Sequence, residues 1–577
     1  MPDTLAKDDL IDFLQQPLVK SLLAIHPNDI LASEEFRCPD TWKPWWTWAA
    51  ALSPDGEPPW ISLLHVARDH SESSLDEEHK ISAYIPSALS DLVNAATHLQ
   101  LNRTPVNWSA QNKDSISVTA SNDTLHSSHP TGPSSRQVAW TQMSVHRLSP
   151  LSDNANVKRV PSGMSPKKAH EVSRMSSYIY HLVSSSPALG GVKHVVDVGA
   201  GQGYLSRALR DLGFHVLALD GSVIQTSGAE QRLTKEQAKG VKRQWSEQEA
   251  SPTSSVTDIY SLEAGSLTHK TVFITAETLQ HSVTAWLCEP NNGSPDKRLE
   301  PVPVLIVALH ACGTLTPDIF RTFLALHRKC DIQGTIIWAP RAAVVVGCCY
   351  NLMSIESDFP LSRAFSHCPP LTSSHLQLAT QTPAHWLDSP ASHASAKLAV
   401  RKVAFRALLE AYLPPTRNTD IVDEPTTNAT DGTGRKERTE VPKKRLGRLP
   451  DSAYASFSHF LSRASERMGV GIDLATSPFR DRIQAFEGTS PHESFQLEGV
   501  ERQLEVLHVL RCIIGPCVES LILMDRVQWL QEGLQKDTTE VKARWDVQMV
   551  GLFDQAAGSA RNFALAVTPD EENMRTI

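Results

Sequence analysis

The run Val195-Val-Asp-Val-Gly-Ala-Gly-Gln-Gly-Tyr-Leu-Ser206 joins an apolar stretch to an amphipathic one through Gly199, Gly201 and Gly203. Glycine at a strand-to-helix turn lets the backbone come close to a ligand, and the N–H groups that open the helix then face it. These glycines are therefore candidate cofactor-binding residues. A dinucleotide fingerprint needs its third glycine one position later, where this chain has Tyr204. An oxidoreductase with a nicotinamide cofactor is accordingly the remoter reading. Two acids flank the turn. Asp197 stands just before Gly199, where its carboxylate serves the amino end of a ligand or acts as a charge at the helix N-terminus. Asp220 follows Gly203 by 220 − 203 = 17 residues, at the end of the next apolar stretch. A carboxylate there can accept hydrogen bonds from both hydroxyls of a ribose; the alternative is a turn former in Asp220-Gly221.

A second set of reactive residues follows the apolar stretch 302–309: His310-Ala-Cys-Gly-Thr314 and, further on, Val346-Gly-Cys-Cys-Tyr-Asn351. Ligands of an open parallel sheet bind beyond the carboxyl ends of its strands, so His310 and Cys312 are the catalytic candidates. His310 has the chemistry of a general base or a substrate ligand; a strand-capping hydrogen bond is its other reading. Cys312, Cys348 and Cys349 suit small buried positions, and adjacent cysteines lack the Cys-x-x-Cys separation of zinc sites, so no metal is expected.

Positioning such groups takes alternating strands and helices. Strands are expected at 192–198, 216–219, 271–274, 302–309 and 334–338, with a helix at 204–212. That alternation implies an α/β unit with a mainly parallel sheet. Upstream, Ser165 caps a helix opened by Pro166, whose apolar positions include Val172, Met175, Ile179 and Leu182. The expected organisation is a helical, Trp-rich N-terminal region (1–106), a low-complexity linker (107–160), a core (161–412), a basic insertion (413–450) and a helix-rich part that completes the core (451–577). Trp42, Trp45, Trp46 and Trp48 read as packing residues. Within the insertion, the basic run 435–448 reads as a solvated loop, with RNA contact or nuclear import as alternatives.

Composition sets outer limits. Net charge is −9 over 577 residues, which excludes a global basic field, so any nucleic-acid surface must be local. Nine cysteines, scattered and odd in number, imply free thiols rather than a disulfide framework. No stretch reads as an apolar membrane span of about 18 residues, and the acidic start lacks the apolar core of a secretory signal. The expectation is a cytoplasmic or nuclear protein without a membrane partner. No feature specifies an oligomeric state.

The Gly-x-Gly-x-Gly spacing behind Asp197 resembles the turn of class I methyltransferases that use S-adenosylmethionine (SAM). Together with Lys167-Lys-Ala-His-Glu171, Leu309-His-Ala-Cys-Gly313 and Val346-Gly-Cys-Cys-Tyr-Asn-Leu352, it resembles the methyltransferase-like protein 25 family, including the relative once labelled ribosomal RNA adenine dimethylase domain-containing. Glu519-Ser-Leu-Ile-Leu-Met-Asp-Arg526, Trp529-Leu-Gln-Glu532, Leu552-Phe-Asp554 and Ser559-Ala-Arg-Asn562 extend the likeness toward the carboxyl end. Ala200, Gln202 and Ala560 depart from the family, which commonly has Ser, Lys and Pro there. The resemblance implies a Rossmann-like class I fold, SAM as cofactor and a macromolecular acceptor. RNA is favoured because His310, Cys312 and the paired cysteines are also similar to eukaryotic tRNA ribose 2′-O-methyltransferases, although Tyr350 and Asn351 stand where those have histidines. No Asn/Asp-Pro-Pro-Tyr tetrapeptide lies near the fourth strand, which counts against amino-group methylation of adenine or glutamine. Protein methylation and a catalytically silent binding module are the alternatives.

Overall fold

The computed structural model describes residues 7–32, 36–68, 84–106, 164–234, 265–289, 301–329, 337–413, 446–469, 471, 497–535 and 545–570. The chain divides into two compact units, residues 1–100 with 381–517 and residues 101–380 with 518–577.

The second unit is an α/β unit. Its strands are β1 (His194–Val198), β2 (His215–Asp220), β3 (Leu267–Thr271), β4 (Val302–Cys312), β5 (Trp338–Cys348), β6 (Trp545–Gly551) and β7 (Phe563–Pro569). They form one sheet in the order β3-β2-β1-β4-β5-β7-β6. The first five run parallel, and β7 is antiparallel to both β5 and β6. Alternate residues feed two cores. Val196, Val198, Leu217 and Ile306 pack with Trp286, Phe320 and Phe323 on one face. On the other, Val195, Val216, Leu305 and Val307 pack with Met175, Ile179 and Leu209. A parallel strand covered on both faces is apolar at every position, which explains why these strands read as continuous apolar runs.

Several boundaries differ from the sequence expectation. Strand β3 ends at Thr271, where the expected strand began, because Leu-Thr-His-Lys-Thr is mostly polar and half-buried at a sheet edge. Strand β5 begins at Trp338, where the expected strand 334–338 ended. Pro340 and the exposed Arg341 interrupt its apolar run, and the pairing with β4 slips by one residue there, between Val304 and Leu305. Strand β4 continues to Cys312, so His310 is a strand residue rather than one beyond the strand. The carboxyl-terminal part supplies β6 and β7 as well as helix, because Phe563–Pro569 closes the β5 edge.

The first unit is helical. Trp42, Trp45 and Trp46, in and beside the helix Lys43–Ala50, are buried, as expected of packing residues, whereas Trp48 is only partly buried; Trp60, in the helix Pro59–Arg68, is buried as well. Another of its helices spans Ser87–His98. Residues 381–412 and 451–517 belong to this unit and not to the α/β unit. A reading along the chain takes neighbours in sequence as neighbours in space, whereas the helix Pro390–Glu410 packs against Pro27–Ala32. Among the described residues the longest helix is Leu497–Gln535, which runs from the first unit into the second and holds an 18-residue window of mean hydropathy 1.8 that is 94% buried. This corrects the expectation that no stretch is long and apolar enough to cross a membrane; burial in a core accounts for its apolarity. The expected linker lies outside the described residues, and so does the basic run up to residue 445.

Candidate active site

The strand order of the α/β unit reverses between β1 and β4: one half of the sheet runs outward through β1, β2 and β3, and the other through β4 and β5. Such a switch point opens a crevice at the carboxyl ends of the two strands. A cavity of about 770 Å³ lies there, within the usual range for small-molecule sites. Asp197, Gly199, Gly201, Asp220, His310 and Cys312 line it, so six of the seven residues expected from sequence are brought together. Gly203 does not line it.

The glycine turn has the conformation its sequence demands. Gly201 takes φ 54°, and a Cβ on it would meet no atom within 4 Å, so its bare side faces free space. Gly203 has φ 67° for another reason: a Cβ there would lie 2.8 Å from His269 Cε1, in packed structure. The turn is sewn to β2, because the N–H groups of Gly199 and Ala200 both donate to the Leu219 carbonyl, at 2.8 and 3.0 Å. Asp220 completes the seam. Its Oδ2 accepts from Gly201 N–H at 2.9 Å and its Oδ1 from Ser222 N–H at 2.8 Å. One backbone donor on each oxygen fixes the carboxylate plane and leaves each oxygen a lone pair for a further donor. Two adjacent hydroxyls of a nucleoside ribose match that spacing of acceptors.

Asp197 is 1% exposed and accepts from Ser206 Oγ at 2.6 Å. Burial pushes its carboxyl up to about 6, aided by the charge of Asp220 and opposed by the Ser206 hydrogen bond and by His310. Through Ser206 it ties β1 to the helix Tyr204–Asp211, and it also lines the cavity.

On the β4 side, His310 is 37% exposed in the cavity wall, and its Nε2 lies 3.2 Å from Glu171 Oε2, a side chain only 4% exposed. Glu171 rides on the helix Pro166–Ser185, which starts as expected, with Ser165 Oγ accepting from Lys168 N–H. Ser559 Oγ donates to its other oxygen at 2.9 Å, and Lys167 Nζ lies 3.8 Å away. Burial works against ionisation of Glu171, but the hydrogen bond and charge of His310, with Lys167 and Ser559, outweigh it and hold the carboxyl below its ordinary value. An ionised, anchored carboxylate behind a half-exposed imidazole is the arrangement that orients a general base.

The remaining wall is aromatic and cationic. Phe273, 80% exposed, lines the cavity with Ile274 just past β3. Around the Tyr204 ring stand Lys168 Nζ at 5.2 Å, Arg207 Cζ at 4.8 Å and Arg232 Cζ at 5.2 Å, and both Tyr204 and Lys168 line the cavity. Register then brings Cys312 opposite Cys348, with their sulfurs 3.1 Å apart.

A sheet of this order, with a glycine turn after its first strand and an acid at the end of its second, defines a class I methyltransferase fold. Residues 167–356 match the family described as a methyltransferase domain. The chain is 24% identical over 501 residues to probable methyltransferase-like protein 25 of Homo sapiens, covering 68% of this chain and 72% of that protein. It is 22% identical over 485 residues to the protein of the same name from Mus musculus, covering 65% of this chain and 72% of the relative. Residues 167–356 thus carry a methyltransferase domain, and the chain is similar to methyltransferase-like protein 25 over about two thirds of its length.

Reading the residues alone passed over Glu171, Tyr204 and Phe273 as site residues. Glu171 stands within the family-like run Lys167–Glu171, but its partners His310 and Ser559 are distant in sequence. Phe273 follows a strand whose end was misplaced, which hid its position at the rim.

Proposed function

We propose that this chain is a SAM-dependent methyltransferase that acts on RNA, with His310 as the general base. One observation carries the cofactor assignment: the Asp220 carboxylate, each oxygen held by a backbone N–H, beside the open face of Gly201. The described residues fit the group. Asp220 would take the ribose hydroxyls, Gly199 and Gly201 would lie along the ligand's backbone-facing side, and Phe273 with Ile274 would cover a flat heteroaromatic ring.

Bound SAM supplies a methyl group already activated on a sulfonium, so the protein's tasks are alignment and proton removal. With its Nε2–H donating to Glu171, His310 would accept the proton from the acceptor at Nδ1. Glu171, ionised and anchored by Ser559, stabilises the imidazolium that results. Lys168 in the cavity wall, with Arg207 and Arg232 against the same Tyr204 ring, would contribute a local positive field that suits a polyanionic acceptor in an otherwise acidic chain.

The test combines isothermal titration with S-adenosylhomocysteine and transfer of labelled methyl from SAM into total RNA and total protein of a matched deletion strain. Saturable binding and label in RNA support the proposal. Label in protein alone replaces the acceptor, and binding without label points to a silent binding module. No binding overturns the cofactor assignment.

A further inference from the structure

We propose that Cys312, Cys348 and Cys349 form a three-thiolate site for one zinc ion, with its fourth coordination position open to the cavity. Cys312 ends β4 and Cys348 ends β5, paired in register, while Cys349 follows in a left-handed turn at φ 47° that brings its sulfur back toward the other two. All three sulfurs lie within 4.8 Å of one another. Zinc bonded to sulfur at about 2.3 Å places tetrahedral sulfurs about 3.8 Å apart. The Cys312–Cys348 pair at 3.1 Å would open by less than about 1 Å to reach that spacing.

Position and charge support the assignment. Cys348 is buried, Cys312 and Cys349 are partly exposed, and Cys312 alone of the three lines the cavity, so the position left open by three ligands would be reached past Cys312. Three protein ligands with one open position is the arrangement of catalytic rather than structural zinc. Coordination expels a proton from each thiol to solvent and leaves one net negative charge on the site. Soft sulfur ligands select zinc over magnesium or calcium. Spacing along the chain gave no hint of such a site, because the third thiol arrives from a neighbouring strand. The site stands apart from the cofactor reading, and its test contains no SAM.

Reduced full-length protein, stripped with a chelator, is titrated with Co(II) and then Zn(II). One equivalent of Co(II) should give a thiolate-to-cobalt charge-transfer absorption that one equivalent of Zn(II) abolishes. Cys348→Ser and Cys349→Ser should each weaken metal binding by about tenfold or more, while Cys288→Ser, at an exposed cysteine outside the cluster, leaves it unchanged. Because a buried substitution can disturb folding, the wild-type chain is also alkylated with iodoacetamide, and each cysteine is read by peptide mass. Zinc should protect Cys312 and Cys349 but not Cys288. Absence of the charge-transfer absorption in folded wild type, or alkylation of Cys312 and Cys349 at the same rate with and without zinc, overturns the proposal.

Discussion

Replacing Asp220 by asparagine separates ligand recognition from support of the turn. In the wild type each carboxylate oxygen holds one backbone N–H, from Gly201 at 2.9 Å or Ser222 at 2.8 Å, and has one lone pair left for a ribose hydroxyl. In Asp220→Asn the amide oxygen keeps one of these seats, and the amide nitrogen presents N–H to a backbone N–H at the other. One hydroxyl loses a charged acceptor. A hydrogen bond to a charged group contributes about 1.5 to 3 kcal/mol, so affinity for S-adenosylhomocysteine should fall about 10- to 150-fold. Calorimetry measures that loss, and a thermal melt without ligand measures any loosening of the turn. The decisive comparison uses the 2′-deoxy analogue, which wild type should bind more weakly than the ribose form and Asp220→Asn should scarcely distinguish. Affinity within about twofold of wild type, or an unchanged preference for the ribose form, would refute the placement of the hydroxyls on Asp220.

Other substitutions probe the rest of the cavity. Asp197 has its folded carboxyl raised to about 6 against an ordinary 3.8, so the folded state loses stability as pH rises through that window; Asp197→Asn should be more stable than wild type at neutral pH by up to about 3 kcal/mol, with the gain vanishing near pH 4 in pH-dependent melts. Glu171→Gln should lower kcat about 10- to 150-fold while the Kd for S-adenosylhomocysteine stays unchanged, because it removes a charged partner of His310 and no cofactor contact. His310→Ala should abolish turnover and retain cofactor affinity; loss of both in calorimetry would place His310 on the cofactor side. Gly201→Val should abolish binding without unfolding the unit, since a β-branched side chain opposes φ 54° and fills the open face.

What could be read from the sequence was local. The glycine turn, its preceding strand and Asp220 lie within one strand-turn-helix-strand stretch, and their spacing alone places them at the carboxyl ends of neighbouring strands. Ser165 and Pro166 announced their helix because a cap acts within one turn. Long-range groupings were hidden: Glu171 meets His310 and Ser559 through the fold, and Cys312 meets Cys348 through sheet register. The β5 boundary was obscured by Pro340 and Arg341, which the β-bulge accommodates at little cost to pairing. The helical unit was misdivided because its segments are interrupted by the whole α/β sequence before residue 381.

The place of β7 has a practical consequence for anyone producing the catalytic part alone. The family match ends at residue 356, yet the strand that pairs with β5 over Ala343–Val346 comes from Ala564–Val567. A recombinant fragment trimmed to the match would present β5 as a long, bare, valine-rich edge, the kind of surface that recruits a second chain and precipitates. It would also leave Glu171 without the Ser559 hydroxyl. Inactivity or aggregation of such a fragment would report the missing strands, not the chemistry of the enzyme.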